Sequence, residues 1–272
     1  MDREIAADEA DTKVFNPARF LADGDDLDGT TSLPDLLILN QPITGFPAFA
    51  RLWKHTRYRI CADGGANRLY NMFDGALEPR RGDFLPDAIH GDLDSLQDDV
   101  RAYYAARGVE VSQDPDQYST DFGKANQKIA SRHPSSSPRE TIVLGTLAGR
   151  VDQGLGLLHE MIREETRDPP LRLWLFSESS VSFILRNTHN IIKGTMSSGF
   201  FTENIGLLPV YGPAVISTLG LEWDVQDWET QMGHQVSTSN HIVQDEIHIE
   251  ASAPILFTVE RAPLHDSGAA RE

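Results

Sequence analysis

Over residues 33–187, short unbroken apolar runs alternate with segments whose apolar residues recur at helical spacing. The runs are "LPDLLILN" (33–40), "YRICADGGAN" (58–67), "AIHGDLDS" (88–95), "VEVSQDPDQ" (109–117), "TIVLGTLAG" (141–149) and "LRLWLFSE" (171–178). Each reads as a strand whose far end turns polar. Between them, "FPAFARLWKHT" (46–56), "LQDDVRAYYAARG" (96–108), "STDFGKANQKIA" (119–130) and "VDQGLGLLHEMIREE" (151–165) read as helices. Gly108 is a stop signal for the second, and Ser119 or Thr120 a cap for the third. Strand and helix in alternation predict a parallel sheet with helices on its faces. After residue 187 the rhythm changes to short apolar runs broken by Gly, Pro, Ser and Thr, and "DEIHIEA" and "ILFTVER" alternate with the period of a strand. That half predicts an all-β sandwich.

The expected organisation is therefore an acidic, disordered tail over 1–30, an α/β domain over 31–187 and a β-sandwich over 188–272. "SRHPSSSPRE" (131–140) reads as a surface loop. A chain starting near Thr31 is expected to fold, because 1–30 has little apolar periodicity.

Composition narrows the partners. The 272 residues carry a formal net charge of −17, the wrong sign for a phosphate-backbone surface, so nucleic acid is not an expected partner. A nucleotide can still be held through Mg²⁺ and backbone N–H groups. Cys61 is the single cysteine, which fits a reducing compartment. No apolar stretch reaches the roughly 20 residues of a membrane span, and the acidic N-terminus lacks a signal-type apolar region. The expected setting is cytoplasmic, away from the membrane.

The candidate chemistry lies where strands end. "ADGGAN" (62–67), "GDLDS" (91–95), "DQYSTD" (116–121) and "GRVDQ" (149–153) fall at the carboxyl ends of predicted strands, where open α/β sheets bind ligands. One D-x-D pair alone is weak evidence. Several acid clusters on one rim point to a hard cation such as Mg²⁺, which takes carboxylates together with substrate phosphates. The glycines of "DGGAN" allow close backbone approach or simply a tight turn. There is no G-x-x-x-x-G-K-[ST] loop. "DFG" (121–123) lacks the other kinase signatures. His90 reads as a strand-end packing residue.

Taken in order, "CADGGANRLY", "LPDAIHGDLDSL", "PDQYSTDF", "GTLAGRVDQ", "TLGLEW" and "VSTSN" resemble eukaryotic thiamine pyrophosphokinases across residues 35–260. The acidic tail and the "SSSP" loop resemble a fungal-type elaboration. The resemblance implies an α/β domain that binds Mg-ATP, a β-sandwich that binds thiamine, and a homodimer with active sites at the subunit interface. It implies transfer of pyrophosphate from ATP to the hydroxyl of thiamine, giving thiamine diphosphate and AMP. It makes Asp92, Asp94 and Asp121 catalytic acids and metal ligands, with Asp63 and Asp152 in the same cluster. Asp152 counts with the catalytic acids and Asp63 with the substrate-binding residues. Gln117 would face thiamine, and Ser237 and Asn240 would bond its aminopyrimidine, although Ser and Asn also favour turns. Trp223 is a candidate cation–π partner of the thiazolium, or a core residue of the β domain. Tyr118 and Ser119 stand where animal members carry acidic and histidine residues. Two other functions use the same features: a Mg-dependent nucleotide diphosphate hydrolase, and a thiamine-binding protein without catalysis. The second has no use for an intact D-x-D pair.

Overall fold

The computed structural model describes residues 12–23, 33–43, 45–116, 118–133, 139–167 and 171–264. The chain divides into two compact units, one of residues 28–178 and one of 1–27 with 179–272.

The first unit is the α/β domain expected from the sequence. Its strands are β2 (Asp35–Ile38), β3 (Arg59–Ala62), β4 (Ala88–Gly91), β5 (Glu110–Gln113), β6 (Arg139–Leu144) and β7 (Leu171–Phe176). Strand β1 (Lys13–Phe15) belongs to the other unit. All pair in parallel, in the order β7-β6-β2-β3-β4-β5. Runs such as "DLLI" and "TIVL" are buried throughout, as strands covered on both faces must be. The helices are α1 (Phe46–Lys54), α2 (Gly65–Met72), α3 (Asp98–Ala105), α4 (Asp121–Ala130) and α5 (Val151–Glu165). An aromatic cluster fixes α1: Phe49 lies 5.4 Å from Trp53 and 5.5 Å from Phe84, and Phe73 lies 5.1 Å from Phe84. The chain runs outward from β2 to β5 and returns to β6 on the other side of β2. The strands' carboxyl ends thus share one rim around a reversal of strand order, the usual place for a ligand.

The second unit is a β-sandwich. One sheet has the order β1-β9-β14-β11-β12, from β1 (Lys13–Phe15), β9 (His189–Lys193), β11 (Ala214–Leu219), β12 (Trp228–Thr230) and β14 (Glu246–Ala251). The other holds β8 (Ser180–Leu185), β10 (Phe201–Leu208), β13 (Ser237–His241) and β15 (Ile255–Arg261), in the order β13-β10-β15-β8. Phe15 of the first sheet stacks on Phe183 of the second at 5.1 Å, and Phe183 lies 5.1 Å from Phe257.

Two expectations about boundaries change. Residues 13–21 are not a tail: β1 pairs in parallel with β9, and Phe15, Phe20 and Leu21 are fully buried. Residues 1–11 and 24–32 lie outside the described residues. The second domain begins at 179, not 188, because β8 pairs with β15 along its length. "LRLWLF" and "SVSFIL" are both apolar runs, and neither marks the boundary in the sequence.

Candidate active site

An acid wall forms where β3 and β4 end. Asp63 follows β3 with φ +41°, a left-handed conformation that Asp tolerates better than most residues. Its backbone N–H bonds the His90 carbonyl at 3.0 Å, and Oδ2 accepts from the Ser95 N–H at 3.1 Å. Asn67, buried on α2, ties down the same loop: Nδ2 donates to the Ser95 carbonyl at 2.7 Å, and Oδ1 accepts from Gln97 N–H at 3.1 Å. Inside the loop, Asp92 Oδ1 accepts from the Asp94 N–H at 3.3 Å, and Ser95 Oγ donates to Asp94 Oδ1 at 3.0 Å. Asp63, Asp92 and Asp94 thereby each offer an oxygen within 4.8 Å of the others. Gly91 makes room for this. A Cβ there would sit 2.9 Å from Asp63 Cβ and 3.0 Å from Asp121 Oδ1.

Asp121 reaches the wall from the first turn of α4. Thr120 caps that helix, as "STD" predicts, accepting from Gly123 N–H at 3.0 Å. The same hydroxyl donates to Glu160 Oε1 on α5 at 2.9 Å, and Glu160 is buried and paired with Arg163. The turn that aims Asp121 is therefore braced by a second helix. One turn further on, Lys124 is buried. Its Nζ lies 3.4 Å from Asp92 Oδ2 and 3.8 Å from Asp121 Oδ1.

The electrostatics follow from this packing. Burial pushes the Asp63 carboxyl up, against the hydrogen bonds from Ser95. Burial also raises Asp121, with the charges of Asp92 and Asp63 adding to it. Asp92 is held below the usual range: its partial burial is outweighed by the Asp94 N–H and by Lys124. Asp63 Oδ1 and Asp121 Oδ1 are both buried without a hydrogen bond. Orphaned carboxylate oxygens beside further acids are the donor set a hard divalent cation uses, so the residues fit Mg²⁺.

The other residues named from sequence fall differently. Asp152 does not join the wall. It is exposed at the start of α5 and paired with Arg150 at 2.6 Å, which holds its carboxyl below the usual range. A strand-end motif fixes where a loop lies, but the helical phase after it turned this acid outward. Gln117 lies outside the described residues. In the β unit, Trp223 is 54% exposed, so it is not a core residue; its ring lies 5.1 Å from that of His241. Asn240 is buried and engaged within the protein. Its Nδ2 donates to the Trp223 carbonyl at 3.0 Å, and its Oδ1 accepts from Trp223 N–H at 3.2 Å and His241 N–H at 2.8 Å. It positions Trp223, and one of its two amide N–H donors is spent there. Ser237 is half-buried at the start of β13. His90 packs as expected, its Nδ1 against the Ser112 carbonyl and hydroxyl at 3.0 and 2.9 Å. Lys124 was not singled out from sequence. Its signal is the i, i+3 spacing from Asp121 within "DFGK", on the apolar face of α4.

Known proteins agree with both halves of this picture. The family model described as "Thiamin pyrophosphokinase, catalytic domain" matches residues 49–173. That described as "Thiamin pyrophosphokinase, vitamin B1 binding domain" matches residues 188–256. Thiamine pyrophosphokinase 2 of Arabidopsis thaliana is 32% identical over 255 residues, 90% of this chain and 92% of the relative. The Saccharomyces cerevisiae enzyme is 29% identical over 83% of this chain and 84% of its own length. The solved thiamin pyrophosphokinase from Candida albicans superposes with a TM-score of 0.83 at 26% identity, covering 92% of this chain and 93% of that one. With identity at this level sustained over nearly the whole of both chains, the protein belongs to the thiamin pyrophosphokinase family.

Proposed function

We infer that the chain transfers the pyrophosphoryl group of ATP to the hydroxyl of thiamine, giving thiamine diphosphate and AMP. The observation that carries the site assignment is the pair of orphaned, buried oxygens, Asp63 Oδ1 and Asp121 Oδ1, facing the D-x-D loop on the sheet rim. Asp63, Asp92 and Asp94 would hold Mg²⁺, and Asp121 closes the same wall. Bound there, the cation would supply charge neutralisation for the phosphates.

In the reaction, the hydroxyl oxygen of thiamine bonds to the β-phosphorus of ATP. The bond from that phosphorus to the oxygen bridging it to the α-phosphate breaks, and AMP leaves with that oxygen. The hydroxyl proton passes to a carboxylate of the wall, and Asp121 is the assigned acceptor on its unbonded Oδ1. Trp223, with its backbone pinned by Asn240, offers an exposed indole to the thiazolium; such a contact is worth about 0.5–2 kcal/mol. Ser237 is assigned to the aminopyrimidine. The reading includes a homodimer in which the β unit of one copy completes the site of the other, and a cytosolic setting, which the single buried Cys61 suits.

The test is acceptor dependence. Purified protein with Mg-ATP should release AMP and form thiamine diphosphate in equal amounts, and should do neither without thiamine. AMP release at the same rate without thiamine would make the protein a nucleotide hydrolase.

A further inference from the structure

The acid wall contains a cation of its own. Lys124 is 1% exposed, and its ammonium lies 3.4 Å from Asp92 Oδ2 and 3.8 Å from Asp121 Oδ1. The other lysine of α4, Lys128, points elsewhere, pairing with Glu110 at 2.6 Å and Ser112 Oγ at 2.9 Å. A buried lysine among carboxylates supplies part of the positive charge that a divalent cation would otherwise bring alone. Asp92 is the acid at which the two demands meet: one oxygen is taken by the Asp94 N–H, the other by Lys124.

We propose that Lys124 is a built-in counter-ion that keeps free divalent cation weakly bound, so that Mg²⁺ enters and leaves with the nucleotide. It is a positioning residue, acting through Asp92 and Asp121. In the empty site it screens the mutual repulsion of the carboxylates and holds Asp92 and Asp121 in place. When Mg-ATP arrives, the phosphates bring negative charge that the added cation balances, and Lys124 stays as the fixed part of that balance. Without the ammonium the wall would bind the free ion for itself and hold its carboxylates less well aligned for the nucleotide. This inference rests on the wall being the Mg²⁺ site.

The test compares Lys124→Met, which keeps length without charge, and Lys124→Arg, which keeps charge, in the nucleotide-free protein. Titration calorimetry with Mn²⁺ should give a dissociation constant about five-fold or more lower for Lys124→Met than for wild type, the effect of removing one charge at this range. Lys124→Arg should stay near wild type. The turnover of Lys124→Met should fall while that of Lys124→Arg is partly kept. If Lys124→Met is unstable in EDTA, added Mg²⁺ should raise its melting temperature by more than it raises that of wild type. Equal or weaker Mn²⁺ binding by Lys124→Met, or a failure of Mg²⁺ to stabilise it more than wild type, overturns the inference. Asp92→Asn is the control for the underlying reading. If it binds Mn²⁺ as wild type does, the acid wall is not the cation site, and that reading falls with the inference.

Discussion

An alanine at position 91 would drive its methyl carbon to 2.9 Å from Asp63 Cβ and 3.0 Å from Asp121 Oδ1. Asp63 is buried and the Oδ1 of Asp121 is enclosed, so the contact has little room to relax. Gly91→Ala should cost about 1–3 kcal/mol in urea unfolding and should also lower turnover, because it pushes the acids apart. Asp92→Asn and Asp94→Asn should each lose on the order of 100-fold or more in kcat/KM. The melting temperature of Asp94→Asn should stay nearly unchanged, because Asp94 is exposed, while that of Asp92→Asn should fall, because the buried Lys124 loses an ion-pair partner. Either variant turning over at the wild-type rate at limiting Mg²⁺ would remove the cation assignment. Asp121 gives a pH signature. Its carboxyl is raised above the ordinary 3.8, so the folded state holds this proton more tightly than the unfolded chain does. Its contribution to stability is complete below 3.8 and is lost as pH rises through the raised value. In EDTA, Asp121→Asn should therefore gain in melting temperature over wild type as pH rises from 4 toward 7, while activity disappears; a constant difference across that range would contradict the assignment. At this scale the acids at 63, 92 and 94 were legible because an apolar run ends just before them. Lys124 was not, since a lysine inside a helix usually faces water, and its burial depends on which face of α4 meets the sheet. Asp152 shows the opposite case, a rim acid whose side chain finds Arg150 and solvent.

At the scale of elements, the cap of α4 joins fold to site. Thr120 satisfies a backbone N–H of the first turn and bonds Glu160 on α5. Thr120→Ala should cost about 1 kcal/mol of stability and reduce kcat, while Thr120→Ser, which retains the hydroxyl, should recover most of both. Stability loss with unaltered kcat would make the cap purely structural. The N-terminal segment reverses the expectation that it is dispensable. Removing residues 12–23 deletes β1 and three fully buried side chains, Phe15, Phe20 and Leu21, each worth about 1.5–3 kcal/mol. The shortened chain should melt well below the full one; equal melting would mean that the segment docks without consequence. The three-residue strand was invisible in the sequence because "KVF" has too few positions to show a period, and its stability comes from a distant partner, β9. Helix α2 was missed for a related reason. It begins at the glycines of "DGGAN", which read as a turn, and what requires them is close approach: a Cβ on Gly65 would collide with the Ile38 carbonyl oxygen.

At the scale of the whole chain, the change of apolar rhythm correctly separated an α/β unit from a β unit, because the period of a pattern reflects which faces are buried. It misplaced the seam, because β7 and β8 are equally apolar and neither run marks where one unit ends and the other begins. What the molecule does depends on chemistry assembled from several of these elements, and one measurement addresses it most directly. Phosphorus NMR can follow wild type and Asp92→Asn with Mg-ATP and thiamine. Wild type should convert the three ATP resonances into the coupled pair of thiamine diphosphate and the single line of AMP, with no inorganic phosphate or pyrophosphate, and Asp92→Asn should leave ATP intact. Release of phosphate or pyrophosphate in place of thiamine diphosphate, or unimpaired transfer by Asp92→Asn, would contradict pyrophosphoryl transfer at this acid wall.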